Sequence, residues 1–252
     1  MSEFDRNYPA RQGFGTARGA VATAGLRAYM IRVYNYMAVG VALTGITAWL
    51  TFSAAVQETS SGQLALTQFG RTIYGGPLMI ALFLGTLGLV FFLSMRIGRL
   101  RPGTALGLFL LYAGLLGVML SSVFLTYTHA SIARTFFISA ASFGGLSLYG
   151  YTTQRDLSPI GSFLVIGLIG LILAIVVNIF LKSTGLDFVI SAAGVLIFAG
   201  LTAWDTQRIK EVYDVGDDGT ASARKEIMGA LKLYLDFINL FLFLLRFLGN
   251  RR

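Results

Sequence analysis

Asp205 and Asp236 stand inside strongly apolar stretches of a chain that places very few acids there. They occur in GLTAWDTQRIKEVY and in MGALKLYLDFINLFLFLLRFLGNRR, on either side of an acidic loop, DVGDDG. A carboxylate in a bilayer core costs about 2.5–3.5 kcal/mol on insertion scales, so it faces a cavity or a partner. Two carboxylates sharing a partly dry site cannot both ionise freely, and their protons then belong to the pair. Ionised, they suit a hard cation, which prefers carboxylate and carbonyl oxygens.

Each acid also has a plainer reading. Arg208 lies three residues after Asp205 and Lys232 four before Asp236, spacings at which a helix pair contributes a few tenths of a kcal/mol. Asp236 lies eight residues past Met228, about 12 Å along a helix, too deep for a surface pair. Asp156, Asp187, Asp214, Asp217 and Asp218 fall in links and are read as solvated.

The elements that must position this pair follow from composition. The chain of 252 residues is 55% hydrophobic and 13% charged, with a mean hydropathy of +0.71. Soluble domains average about 25% charged residues, so this is an integral membrane protein. Without cysteine there is no disulfide, thiolate metal site or cysteine nucleophile. The net charge of +8 does not indicate nucleic acid, because the basic residues cluster at the ends of apolar segments.

A crossing needs about 20 apolar residues. Segments of that kind fall at 31–54, 76–96, 103–126, 131–151, 160–181, 187–208 and 228–248, predicting an all-α bundle of seven transmembrane helices. Residues 1–27 read as a mobile tail and 28–252 as one transmembrane domain. Lys and Arg place the N-terminus in the cytoplasm. Arg246, Arg251 and Arg252 follow the last segment and would favour its return to the cytoplasm, so a re-entrant hairpin is an alternative to a seventh crossing.

Small residues at Gly103-x-x-x-Gly107, Ala140-x-x-x-Gly144 and Ala141-x-x-x-Gly145 are expected at ordinary helix contacts. Trp49 and Trp204 read as interfacial anchors. His129, the one histidine, makes no metal site alone. The second segment ends in FFLSMR, which brings Arg96 to the end where Asp205 sits and Asp236 is entered. Three helices thus deliver one cation and two anions to the inner half of the bundle.

The stretches SIARTFFISAASFGGLSLYGYTTQRDLSPIGSFL at 131–164, GLTAWDTQRIK at 200–210 and LYLDFINLFLFLLRF at 233–247 resemble the Bax inhibitor-1 (transmembrane Bax inhibitor motif) family, in its bacterial inner-membrane branch. The resemblance runs from about Tyr34 to Leu248. It implies a central C-terminal helix wrapped by six others, and a pH-sensitive calcium leak governed by an aspartate pair. The family's aspartates fall on Asp205 and Asp236. The arginine that locks them falls on Arg96, with Arg99 as fallback because RIGR spaces its arginines differently from some members. The charged C-terminal tail of eukaryotic members is absent, since the sequence stops at Arg252.

No nucleophile–base pair, phosphate loop or metal-ligand cluster is legible, so the chain is not read as an enzyme and no tightly bound cofactor is expected. The expectation is slow, passive calcium conduction across the bacterial cytoplasmic membrane, with calcium held transiently by Asp205 and Asp236. Similar bacterial members also act as partners and inhibitors of a membrane-bound ATP-dependent quality-control protease, which the N-terminal tail could engage. A proton-coupled carrier is a third reading; it predicts concentrative uptake, where a leak gives downhill flux alone.

Overall fold

The computed structural model describes residues 10–58 and 63–252, of which 10–21 as backbone alone. Its helices are α1 (Ala10–Ala55), α2 (Gln68–Tyr74), α3 (Pro77–Arg96), α4 (Pro102–Leu120), α5 (Val123–Thr126), α6 (His129–Thr152), α7 (Ser158–Leu181), α8 (Thr184–Val212) and α9 (Gly219–Leu248). A 3-10 turn, Ile97–Arg99, joins α3 to α4, and an antiparallel hairpin of β1 (Val56–Glu58) and β2 (Leu64–Leu66) follows α1.

Local sequence sets these boundaries. Pro77, Pro102 and Pro159 occupy first-turn positions, where the missing N–H is no loss. Thr128, Ser183 and Asp218 cap α6, α8 and α9 by accepting backbone N–H bonds. The third apolar segment is interrupted at Ser121–Ser122. There Ser121 Oγ donates to the Val118 carbonyl and meets the Tyr74 hydroxyl. Helix α1 already runs from Ala10, so much of the expected tail is helical backbone, while residues 1–9 lie outside the described residues.

Among the described residues, six helices are long and apolar enough to cross a membrane: Ala22–Ala55, Pro77–Arg99, Pro102–Thr126, Ser158–Leu181, Thr184–Val212 and Gly219–Leu248. Helix α6 has 24 residues, about 36 Å, but Ser131, Arg134, Thr135, Ser139 and Ser147 dilute its apolarity. Its polar face is turned inward, with Ser131, Thr135, Ser139 and Ser147 all buried.

Helix α9 contributes much of the buried core. It packs against α8, α1, α6 and α4, burying Leu231, Leu233, Tyr234, Leu240 and Leu245 almost completely. Helices α3 and α7 pack chiefly on α4 and α8, one layer further out, and their outer faces keep Phe83, Phe91, Phe163, Ile166 and Phe180 exposed, as a lipid-facing surface requires.

Helix α9 is one unbroken helix of 30 residues, about 45 Å long, and the re-entrant hairpin does not form. Its far end is stitched to the start of α6: the Thr128 N–H donates to the Asn250 carbonyl and the Arg252 N–H to that of Thr126. There Asp187, at the start of α8, ion-pairs with both Arg246 and Arg251. That pairing corrects the solvated reading of Asp187 and explains how arginines are accommodated at this end.

Close helix contact is made at other small residues than the sequence suggested. A Cβ on Gly103, Gly107, Gly144 or Gly145 would meet nothing within 4 Å, so those stripes are not contact faces. On Gly150 it would fall 2.1 Å from the Ala203 carbonyl oxygen, and on Gly161 2.1 Å from the Trp204 ring. Trp204 is thus seated on α7 and is not a free interfacial anchor. Helices α6 and α8 touch backbone to backbone at Gly150, where a larger residue has no flexible neighbour to displace. Gly150→Val is therefore expected to cost about 3 kcal/mol, read as a lower melting temperature and folded yield in detergent. An unchanged melting temperature would show that the helices can separate there.

Candidate functional site

Asp205 is placed by α8 and Asp236 by α9, the neighbours that share one of the most extensive contacts in the bundle. Helix α8 continues to Val212, beyond the expected end at 208. Asp205 therefore lies seven residues, about 10 Å, inside its helix. Their carboxyl groups come within hydrogen-bonding reach of one another, a contact that a shared proton makes favourable.

The pair is dry. Asp236 is 5% exposed, and its Oδ2 is buried with no hydrogen-bond partner among the described residues. Nearly all buried polar atoms in folded proteins have a partner, and a proton shared with Asp205 would supply one here. Leu233, Tyr234 and Phe237 on its own helix are buried around it.

The nearest cation is not the expected one. Lys232 Nζ stands 3.8 Å from Asp205 Oδ1, close enough for an ion pair and too long for a hydrogen bond. Lys232 thus reaches across to α8, although the sequence spacing had suggested a pair with Asp236 on its own helix. Arg208 forms no ion pair with Asp205 within 4 Å; its guanidinium lies over the Trp204 ring, 5.0 Å from the centroid. Arg96 and Arg99 are exposed at the end of α3 and in the turn after it. The structure gives neither an ion pair to the aspartates in this conformation. The turn itself does reach α9: Ile97 and Gly98 line the same cavity as Lys232.

Hydroxyl groups extend the site along the helices. Thr206, next to Asp205, meets Ser147 Oγ at 2.9 Å, and Ser147 meets the Tyr34 hydroxyl at 2.5 Å. This links α8, α6 and α1. On the other side of the pair, the Tyr234 hydroxyl meets Thr44 Oγ1 at 2.6 Å, and Thr44 donates to the Gly40 and Ala113 carbonyls. Sequence reasoning missed these residues. Serine and threonine satisfy themselves on their own helix carbonyls as readily as across an interface, so type and spacing alone do not mark them.

It also missed a second buried carboxylate. Glu226 is 3% exposed and accepts from Arg32 Nε at 2.8 Å and from Ser222 Oγ at 3.1 Å. Helix α9 begins nine residues before the expected 228, which carries Glu226 from a link into the packed end of the bundle. The signal available was the acid three residues after Ala223 in a helix-forming run, ASARKEIMGALK. Removing one partner of a buried pair leaves the other charge uncompensated. Arg32 is half-exposed, which reduces the cost. Arg32→Ala is expected to cost about 1–3 kcal/mol, and adding Glu226→Gln is expected to recover part of it. A double variant less stable than Arg32→Ala by the full Glu226→Gln cost would mean that the two residues are uncoupled.

Among the described residues, no three acids, histidines or cysteines gather as a metal site. The geometry instead offers two carboxyls in contact, one free oxygen, one lysine at ion-pair distance, and hydroxyl chains leading away.

Comparison with known proteins agrees with this architecture. The sequence model of the family described as "Inhibitor of apoptosis-promoting Bax1" matches residues 26–252. The chain is 50% identical over 237 residues to the Rickettsia prowazekii protein RP147, covering 94% of this chain and 95% of that one. It is 48% identical over 232 residues to the inner membrane protein YbhL of Escherichia coli K12, covering 91% and 94%. A Caulobacter vibrioides protein matches over 254 residues at 44% identity, along the whole of both chains. With a family match across the helical bundle and relatives of this identity along nearly its full length, the chain belongs to the Bax inhibitor-1 family of membrane proteins.

Proposed function

We propose that this protein is a pH-sensitive, passive calcium leak of the bacterial inner membrane, with Asp205 and Asp236 as its ion-handling and proton-sensing pair. The observation that carries the reading is the contact between the buried Asp236 carboxyl and the partly buried Asp205 carboxyl, with Asp236 Oδ2 unpartnered. The location rests on the six membrane-length helices and on the similarity to YbhL, an inner membrane protein. In this reading α6 is a seventh crossing, tolerated because its polar face is turned into the bundle. Helix α9 is the central one, and the N-terminus is cytoplasmic.

Calcium takes six to eight oxygens when tightly bound. Two carboxyls fall short of that, which suits a cation passing through with water and backbone carbonyls making up the shell. A basic side chain pairing with the ionised carboxyls excludes calcium from the same oxygens. Protonating the pair removes acceptors from that side chain, so mild acidification releases the lock and raises the leak. The lock assigned by resemblance to Arg96, or Arg99, needs a conformation in which the end of α3 closes on α8 and α9. In the conformation described, Lys232 takes that place.

Calcium entry into proteoliposomes, followed with a trapped indicator, tests this. Flux should run down the gradient, stop at equilibrium and rise between neutral and mildly acidic pH. Accumulation against the gradient would point instead to a proton-coupled carrier, and absence of flux at every pH would leave the conduction reading without support. The protease-partner reading has no comparable observation in its favour, since residues 1–9 lie outside the described structure.

A further inference from the structure

Where α9 begins, a cavity of about 230 Å³ opens between α8, α9 and the Ile97–Arg99 turn. Arg208, Arg224, Lys225 and Lys232 line it, and no acid does. Two of these cations are already paired, Lys225 with Asp217 at 2.6 Å and Lys232 with Asp205 at 3.8 Å, so the two arginines carry the uncompensated charge. Arg224 is fixed by donating its Nε to the Leu100 carbonyl at 2.7 Å, which leaves both terminal nitrogens of its guanidinium for another acceptor. Arg208 stands over the Trp204 ring, 5.0 Å from its centroid, a contact that leaves its N–H donors available. The remaining walls are apolar, with Ile97, Ile209, Val212 and Met228.

Arginines and a lysine around one concavity, with no acid in its lining, exceed what a positive-inside bias requires. Scattered basic residues at helix ends would meet that bias equally well. A polar mouth of fixed guanidinium donors beside apolar walls matches a phosphate monoester or diester. The cavity also stands at the ends of α3 and α8, where membrane-length helices meet the headgroup layer, and basic pockets between helices at that level take anionic headgroups.

We propose that this cavity is a binding site for a phosphate-bearing anion, met in the membrane as the headgroup of an anionic phospholipid. The site stands on its own geometry and does not depend on calcium conduction.

The test uses the full-length protein in neutral detergent, with binding read by native mass spectrometry and by melting temperature. Added phosphatidylglycerol is compared with phosphatidylcholine, and inorganic phosphate with chloride in a parallel arm. Phosphatidylglycerol is expected to bind preferentially, and Arg224→Gln and Lys232→Gln are each expected to weaken it about fivefold. Arg224→Lys should retain most of the preference, as should Arg155→Gln, which removes an exposed charge outside the cavity. If Arg224→Gln does not fold, Arg208→Gln and Lys232→Gln carry the same comparison. Protection by inorganic phosphate that the same substitutions abolish, without a lipid preference, would support the site and identify free phosphate as its source. Equal loss on Arg155→Gln, no loss on any cavity substitution, or no preference in either arm would overturn the proposal.

Discussion

Asp205→Asn or Asp236→Asn alone is expected to remove most of the acid response of calcium flux, and the double substitution to add little. The reason is the contact between the carboxyls across the α8–α9 interface. Groups that interact this closely bind and release protons as a pair, so neutralising either one takes away the shared titration. Asparagine keeps the size and one acceptor oxygen, so Asp236→Asn should preserve packing around a residue that is 5% exposed. Initial flux across a pH series for native, single and double variants decides the matter. If each substitution removes half of the response and the double removes all of it, the carboxyls act separately and the coupled pair is wrong.

The second large effect concerns the cation that holds the pair. Lys232→Gln is expected to raise calcium flux at neutral pH about five- to tenfold, the size of a coupling near 1 kcal/mol, and to blunt any further rise on acidification. Lys232 Nζ is 3.8 Å from Asp205 Oδ1, so its removal frees an acceptor at once. Arg96→Ala is expected to act in the same direction but less strongly, because under the proposed mechanism Arg96 would engage only in a conformation where the end of α3 closes on the site. Matched liposomes at two pH values separate the cases. A rise on Arg96→Ala alone would place the lock in a different conformation of the bundle. A leak unchanged by either substitution would leave Arg96 a topological arginine at a helix end and Lys232 a bystander.

The membrane class, the helical fold and the pair Asp205 and Asp236 were legible in the amino-acid sequence because each rests on a local quantity. Hydropathy over some 20 residues determines a crossing, and a carboxylate within such a run stands out whatever surrounds it. Helix starts at Pro77, Pro102 and Pro159 are local for the same reason. The sequence also carried α9 as a single apolar run from 228 to 248, leaving open whether it crossed or returned.

What only the tertiary structure decided are the relations between elements. Lys232 and Arg208 have the same charge and similar spacing from an aspartate, yet one reaches across to α8 and the other lies on Trp204. Which cation meets a carboxylate depends on helix rotation, and composition does not report rotation. Gly150 and Gly103 are equally small, but one touches the Ala203 backbone and the other faces open space. Asp187 read as a loop acid and Glu226 went unremarked, until the extent of α9 and the position of its far end brought Arg32, Arg246 and Arg251 against them. A charge pair formed between residues more than fifty positions apart is a property of the packed bundle, because the free energy that forms it comes from the helices that exclude water around it.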